Sequence, residues 1–433
     1  MYIIPLLAAL IFALLFYIMH KDIFYPGCFF NGMWFLVLLF DATNISGLFR
    51  AESNVYLIIT IGIIFYNLGF LLLHFGKAKS GRKADEKPAI NIDEGKTNKR
   101  FITVQLIVSV FLVAMLSRIF VYILEGNWYI VRRIYASGTY EDGSTFMSTF
   151  ERMLYISYGV FPFAYANFTV GTVAVLDGTI KKKHYLVSFV NMAVVTLITG
   201  GRLSVFYMLI VFLAAYSRIK KKTGKAPISA TKRNLIILAA VAFAVVNITL
   251  RTTRGETNFF GGLVTYFVGG IHVFDEALQN PHAYGLAYHT YGVMTFRGIF
   301  DTVNIFLYYL SGRAVPLLSS VFANDIFNEA ITIGAGVKFN AFPTLFYYHF
   351  RDMGYIGLAV FPMIISGIAN AIYDAVKRKA SYTNICLIAE VIYFLAMSPC
   401  WSIFIQAEVW FRLAYIILLV RFFGLNKREV GAA

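Results

Sequence analysis

The sequence predicts an all-α polytopic transmembrane helical bundle, and three observations carry that prediction. Uncharged apolar runs of about 17–25 residues, the length that crosses a bilayer, recur along the chain. The mean hydropathy is +0.68, with 59% hydrophobic and 14% charged residues, well outside the range of soluble domains. The basic residues sit in short segments between the apolar runs, the pattern that orients spans. A backbone inside lipid must satisfy its own hydrogen bonds, which leaves helices or a closed barrel. Runs this continuous exclude barrel strands, which alternate polar and apolar. The net charge of +15 is therefore orientation information, and no nucleic-acid partner is expected.

The first span is roughly Tyr2–Met19, closed by His20-Lys21-Asp22. It lacks a basic start and a small-residue cleavage site, so it reads as a retained helix. Phe24–Phe40 and Val55–His74 follow, then Lys77–Arg100, a Lys-rich solvated loop with Pro88 and Gly95. Phe101–Leu124 is the fourth span. Glu125–Ser148, with Trp128, Tyr129, Arg132 and Arg133, has the composition of an interfacial helix. Met153–Leu176 ends at Lys181-Lys182-Lys183. Tyr185–Ile198 and Leu203–Tyr216 form a tight pair across Thr199-Gly200-Gly201-Arg202, and basic Arg218–Arg233 leads into Asn234–Leu250.

Arg251–Gly354 is the longest run that the charge pattern places outside the cytoplasm. It contains His272, His282, His289 and His349, four of the seven histidines. Within it, Phe259–Phe274 and Tyr291–Leu310 are apolar but interrupted by Gly269, Gly270 and His272, and by Arg297 and Asp301. They read as interfacial or half-inserted helices. Tyr355–Tyr373, Thr383–Met397 and Ile403–Val420 complete eleven spans, or thirteen if those two also cross. The expected organisation is an eight-span bundle over residues 1–250, an extracytoplasmic segment over 251–354 and C-terminal helices over 355–433. The N-terminus then lies outside and the C-terminus in the cytoplasm.

Of the 38 Lys and Arg residues, 25 fall in the cytoplasmic segments. Among the other thirteen, every one but Lys338 is Arg, whereas the cytoplasmic set is mostly Lys. Positive-inside pressure treats the two types alike. A planar fork that binds phosphate or carboxylate oxygens in pairs accounts for the difference.

Individual residues sharpen this. Arg202 stands at the tip of a Gly-Gly hairpin, where the backbone approaches an anion closely; the alternative is snorkelling to headgroups. Arg251 and Arg254, three apart, share a helix face and either hold a diphosphate or anchor the helix end. In the block Asn340 to Gly354, Pro343 fits the first turn of a helix that Asn340 would cap. On that helix His349 and Asp352 share a face, as do Tyr348 and Asp352. A carboxylate beside an imidazole fixes its tautomer, the usual arrangement of a general base. Arg351 competes for Asp352, and an interfacial ion pair is the alternative. Asp275, Glu276 and His289 are further sites for catalysis or sugar contact. Glu408 and Arg412 read as a structural pair. The three cysteines form no metal, redox or haem motif. No outward DxD, HExxH, GxSxG or P-loop is present, so metal-free chemistry on a lipid-linked donor is expected, with no cofactor.

Thr199-Gly-Gly-Arg202 between two short helices, the Arg251…Arg254 exit, and the block Asn340-x-x-Pro-Thr344-x-x-x-Tyr348-x-x-x-Asp352-x-Gly354-x-x-Gly357 followed by Gly367 together resemble the oligosaccharide repeat-unit polymerases of O-antigen and capsule biosynthesis (Wzy-type, of the GT-C group). The resemblance implies a GT-C-like multi-pass protein of the bacterial cytoplasmic membrane. It implies an inverting transfer at the outer leaflet, from a glycan on undecaprenyl diphosphate to a hydroxyl of a second lipid-linked repeat unit. Membrane lipids and a chain-length regulator protein are the implied partners. In those terms Arg202, Arg251 and Arg254 hold the diphosphate, and His349 with Asp352 is the base. Arg132, Arg133, His289, Arg297, Asn340, Thr344, Tyr348 and Arg351 contact substrate. A ligase moving the same glycan to another acceptor, and a lipid-linked oligosaccharide flippase, are the alternatives. A flippase predicts internal symmetry, and the chain shows no internal repeat.

Overall fold

The computed structural model describes residues 2–44, 47–76, 93–140, 142–201, 203–235, 237–238, 259–318, 331–335, 337–339, 343–427 and 430. The regular elements among them are helices apart from a short antiparallel hairpin, β1 (Ile331–Gly334) and β2 (Val337–Phe339). Among the described residues, seven helical stretches are long and apolar enough to cross a membrane. The residues group into two compact units, each drawn from three stretches of chain. One takes in Met1–Lys83, Glu256–Asp374 and Phe394–Ala407; the other takes in Ala84–Gly255, Ala375–Tyr393 and Glu408–Ala433.

The first unit is built on α1 (Ile3–His20), α2 (Pro26–Thr43) and α3 (Ser53–Gly76). Pro26 opens α2 at a position whose N–H would have no helical partner. Lys21 and Asn44, both left-handed, end α1 and α2. One face of α1 leaves Ile4, Leu7, Ile11 and Ile18 exposed, the mark of a helix surrounded by lipid. Between α2 and α3, Asn31 and Asn67 exchange hydrogen bonds at 2.6 and 3.0 Å, and each returns an N–H to its own helix, to Gly27 O and Ile63 O. Buried amides satisfied this completely fix helix register where no water is available.

Two further helices of this unit come from the expected outer segment. α11 (Phe259–Gln279) packs on α2 and α3, burying Val268 and Ile271, while Phe274 meets Tyr347 and Phe350. α12 (Arg297–Leu310) instead exposes Val303, Phe306 and Leu310. Its 14 residues reach only about 21 Å, short of a bilayer core, which suits a helix lying in an interface. A single β-bridge joins the hairpin to the 48–49 segment, where Phe49 N donates to Ile333 O and Leu48 lies opposite Gly334.

α13 (Leu345–Arg378) departs from expectation. A separate span from Tyr355 and a helix opening near Asn340 are replaced by one helix that starts at Leu345, after Pro343. It kinks at Met353 (φ −150°, ψ 24°) and Gly354 (φ 57°, ψ −136°). Gly354 takes a left-handed conformation that side chains disfavour. A Cβ at Gly357 would fall 2.0 Å from the His349 carbonyl oxygen, so the kink requires glycine at both places.

The second unit contains α4 (Glu94–Ser117), α5 (Phe120–Leu124), α6 (Trp128–Ser137), α7 (Thr149–Arg152), α8 (Val160–Leu176), α9 (Lys182–Thr199) and α10 (Leu203–Thr223). The single span expected over Phe101–Leu124 is broken between α4 and α5, where Arg118 pairs with Glu151 at 2.9 Å and donates to Phe146 O at 3.2 Å. A π-helical segment, Met153–Tyr158, precedes α8. The helices α14 (Tyr382–Met397) and α15 (Ala407–Phe422) contribute Glu390 and Arg412. Arg412 Nε lies 3.1 Å from Glu390 Oε2, and Nη1 lies 3.8 Å from Glu408 Oε1. The expected Glu408–Arg412 pair is thus present, and the shorter contact is to Glu390. Tyr165, Tyr207 and Tyr393 surround the guanidinium at 5.4, 4.8 and 5.5 Å. The Thr169 hydroxyl donates to Glu390 Oε1 at 2.9 Å, and the Tyr207 hydroxyl donates to the same oxygen. Four helices, α8, α10, α14 and α15, therefore meet on one ionic cluster.

Two tests follow from this packing. A Cβ at Gly69 of α3 would fall 2.0 Å from Ser366 Oγ and 2.8 Å from Met363 Cα, whereas at Gly32 of α2 it meets nothing within 4 Å. Gly69→Ala should lower stability by about 1–3 kcal/mol and Gly32→Ala should not, as read by thermal unfolding in detergent. Arg412→Met should cost about 3–5 kcal/mol, because it strands a buried carboxylate, and the Arg412→Met/Glu390→Met double variant should recover part of that loss.

Candidate functional site

The first arm of α13, Leu345 to Asp352, carries most of the predicted chemistry and is buried almost throughout. Thr344 precedes it, and Leu345 N donates to Ser398 O at 2.9 Å in place of a helical partner. The kink after Asp352 turns the chain just where the carboxylate sits. Asp352 Oδ1 accepts from Thr290 Oγ1 at 2.5 Å and Met294 N at 2.9 Å, and Oδ2 accepts from Thr295 N at 2.7 Å. The Asp352 carbonyl accepts from Tyr291 N at 3.0 Å. Asp352 is thus the anchor of the 290–295 turn, in which Tyr291 adopts a positive φ of 51°.

His349 is 0% exposed. Its Nδ1 lies 3.0 Å from Thr295 Oγ1, and Phe361 stacks on its ring at 5.7 Å. Its Nε2 is buried with no hydrogen-bond partner among the described residues. The expected direct His349–Asp352 contact is replaced by a relay in which Thr295 touches both: its hydroxyl meets the imidazole and its amide the carboxylate. The physical reason is competition, because two backbone amides and a hydroxyl already claim the carboxylate.

The neighbours are placed as follows. Arg351 Nη1 donates to Tyr347 Oη at 3.2 Å, and that hydroxyl donates to Tyr284 O at 2.7 Å. A Cβ at Gly285 would lie 2.6 Å from the Arg351 guanidinium carbon, so a glycine makes room for the cation. Thr344 and Tyr348 are buried, and Thr344 Oγ1 has no hydrogen-bond partner among the described residues. His289 is exposed beside Gly354. Arg297 pairs with Asp301 at 3.3 Å, one turn along α12. Burial holds the Asp301 carboxyl above its ordinary range.

The second unit holds the other predicted cations. Arg132 and Arg133 are exposed on α6, whose Val131 and Ile134 are buried, so the helix is amphipathic as expected. Gly200 ends α9 in a left-handed conformation (φ 54°), and Gly201 N donates to Thr199 Oγ1 at 3.1 Å. A Cβ at Gly200 would meet Arg132 Cβ at 3.4 Å and its backbone at 3.6 Å. The amphipathic helix and the Gly-Gly turn therefore abut backbone to backbone. Arg202, Arg251, Arg254 and Asn340 lie outside the described residues.

Sequence reasoning missed Asp41, which lies 2.9 Å from His272, and Glu390, the main partner of Arg412. A carboxylate at or within an otherwise apolar helix was the available signal for both. Family models, curated proteins and solved structures were compared with the chain, and none matches.

Asp352→Ala should act on stability rather than on proton transfer. It leaves two buried amides bare at about 1–3 kcal/mol each, a loss that thermal unfolding in detergent would detect.

Proposed function

We propose that the chain is an inverting glycosyltransferase that polymerises undecaprenyl-diphosphate-linked oligosaccharide repeat units into O-antigen or capsular polysaccharide at the outer face of the bacterial cytoplasmic membrane. The observation that carries this reading is the contact of Arg132 with Gly200, at the turn whose sequence runs on to Arg202. Arg132 and Arg133 are exposed on the helix that abuts this turn, and paired guanidinium donors suit the oxygens of a diphosphate. The reading draws further support from the near-exclusive use of Arg among basic residues outside the cytoplasmic segments.

In the reaction, a hydroxyl of the incoming lipid-linked unit attacks the anomeric carbon of the growing glycan. The bond from that carbon to the diphosphate breaks and leaves its electron pair on the phosphate oxygen. Guanidinium groups fixed in advance around that oxygen stabilise the charge as it develops, which is usually the largest catalytic contribution. Arg202, Arg251 and Arg254 are assigned to the diphosphate, with Arg132 and Arg133 beside the turn. Arg297 and Arg351 belong to the first unit and are assigned to the glycan, with His289, Thr344, Tyr348 and Asn340.

Glycan analysis of a deletion strain tests the reading. Loss of polymer with single repeat units kept on the final acceptor is the expected result. Unlinked full-length polymer would indicate a ligase instead, and repeat units trapped at the inner leaflet a flippase. Arg202→Lys and Arg132→Lys keep the charge and lose the paired contact. Each should cut polymer formation about 10–100-fold at normal protein level, the equivalent of roughly 1.5–3 kcal/mol for a hydrogen bond to a charged group.

A further inference from the structure

The ionic cluster of the second unit holds more acid than its fold requires. Glu390, Glu408 and Arg412 set two carboxylates against one guanidinium. Glu390 is fully enclosed and is the near partner of Arg412, at 3.1 Å, while Thr169 and Tyr207 donate to its other oxygen. Glu408 stands apart. Its ion-pair contact among the described residues is with Arg412 at 3.8 Å, beyond hydrogen-bond distance, and its side chain keeps 18% exposure. A proton on Glu390 would strip Arg412 of its close counter-ion, whereas a proton on Glu408 leaves a neutral pair behind. Glu408 is the carboxylate of this cluster that is free to titrate.

Its surroundings tie it to the turn that leads to Arg202. Gly200 meets Arg132 at this turn, and Ser204, four residues on, shares a hydrogen bond with the Tyr165 hydroxyl at 2.5 Å. The Tyr165 ring lies 5.4 Å from the Arg412 guanidinium, whose Nη1 faces Glu408. The field of Glu408 reaches Tyr165 and also Tyr135, one turn along α6 from Arg132. The field of Arg152, at the end of α7, reaches Tyr135 too, and Tyr207 and Tyr393 lie against the guanidinium. Glu408 is in the first turn of α15 and Ser204 in the first turn of α10, at the ends remote from Arg421 and from Lys220, Lys221 and Lys222. The charge pattern assigns both ends to the outer side. Glu408, Arg132 and the Gly-Gly turn all belong to the second unit.

We infer that Glu408 is the base that takes the acceptor-hydroxyl proton in glycosyl transfer, an inference that rests on the transferase reading above. The hydroxyl oxygen bonds to the anomeric carbon as its proton passes to a carboxylate oxygen of Glu408. The bond from that carbon to the diphosphate breaks, and the diphosphate leaves with the electron pair. Arg412 stays paired with Glu390, and the proton on Glu408 is then released to water. The buried imidazoles suit this step less. His349 is fully enclosed, and His272, 2.9 Å from Asp41 in a group that Tyr56 completes, keeps 6% exposure. Both belong to the first unit.

The test uses the full-length protein in lipid nanodiscs with lipid-linked repeat units extracted from the deletion strain, and follows polymer and released undecaprenyl diphosphate. Glu408→Gln keeps the shape and removes the proton acceptor. It should lower kcat about 100-fold or more with little change in KM, and abolish the fall in rate toward acid pH. Glu408→Asp draws the acceptor back by one methylene. It should lower kcat about 10–100-fold at unchanged KM and keep the acid fall. Wild-type kcat in folded Glu408→Gln, with or without a lowered melting temperature, makes Glu408 a counter-ion of Arg412 only; it overturns the assignment and leaves the transferase reading intact. Absence of polymer and diphosphate release from folded wild-type protein overturns the transferase reading itself. If Glu408→Gln does not fold, Glu408→Asp decides: a lowered kcat at unchanged KM supports the assignment, and an unchanged kcat overturns it.

Discussion

The Arg412–Glu390 contact shows most plainly the constraint under which this chain folds. Arg412 is 2% and Glu390 0% exposed, on helices that are otherwise oily, so neither charge has water to fall back on. Desolvating an isolated ion costs several kcal/mol even after relaxation, and a lone partner here would carry that cost unrelieved. The remedy is a shared cluster: a second carboxylate on Glu408, hydroxyls from Thr169 and Tyr207, and three tyrosine rings around the guanidinium. Each of the four helices contributes at least one member to it. Apolar contacts alone allow helices to slide; an ionic cluster with fixed hydrogen-bond geometry does not.

The same constraint operates in the first unit with different residues. The Asn31–Asn67 exchange joins α2 to α3, and the Asp352 carboxylate gathers the 290–295 turn against the first arm of α13. The kink at Met353 and Gly354 makes the second of these possible, because it ends the arm at Asp352 and frees the carbonyl there for Tyr291 N. A straight helix would have kept that carbonyl within its own ladder. Glycine at 354 and 357 is thus a condition for placing Asp352 and, through Thr295, His349.

Hydropathy and charge made the helices of both units legible to within a few residues at α1, α2, α3 and α14, because lipid selects composition over whole turns. Breaks were less legible. The interruption between α4 and α5 depends on Arg118 finding Glu151, and the continuity of α13 through its kink depends on close packing at Gly357. The candidate site divides in the same way. Glu408 and Arg412, at helical spacing, were paired correctly, since one helix fixes their geometry, whereas Arg297, expected to contact substrate, pairs with Asp301 one turn along its own helix. His349 and Asp352 satisfied the same spacing rule and were drawn to other partners, because spacing says which face a residue occupies and not what competes for it. Asp41 and His272 stand 231 residues apart, and no local pattern reports such a pair.

The positions of the polar features also follow a common logic. The Asp41–Tyr56–His272 group lies at the ends of α2 and α3, and Gly200 lies where α9 stops beside α6. Helix ends are where a lipid-embedded fold has spare backbone donors and acceptors and where side chains reach water.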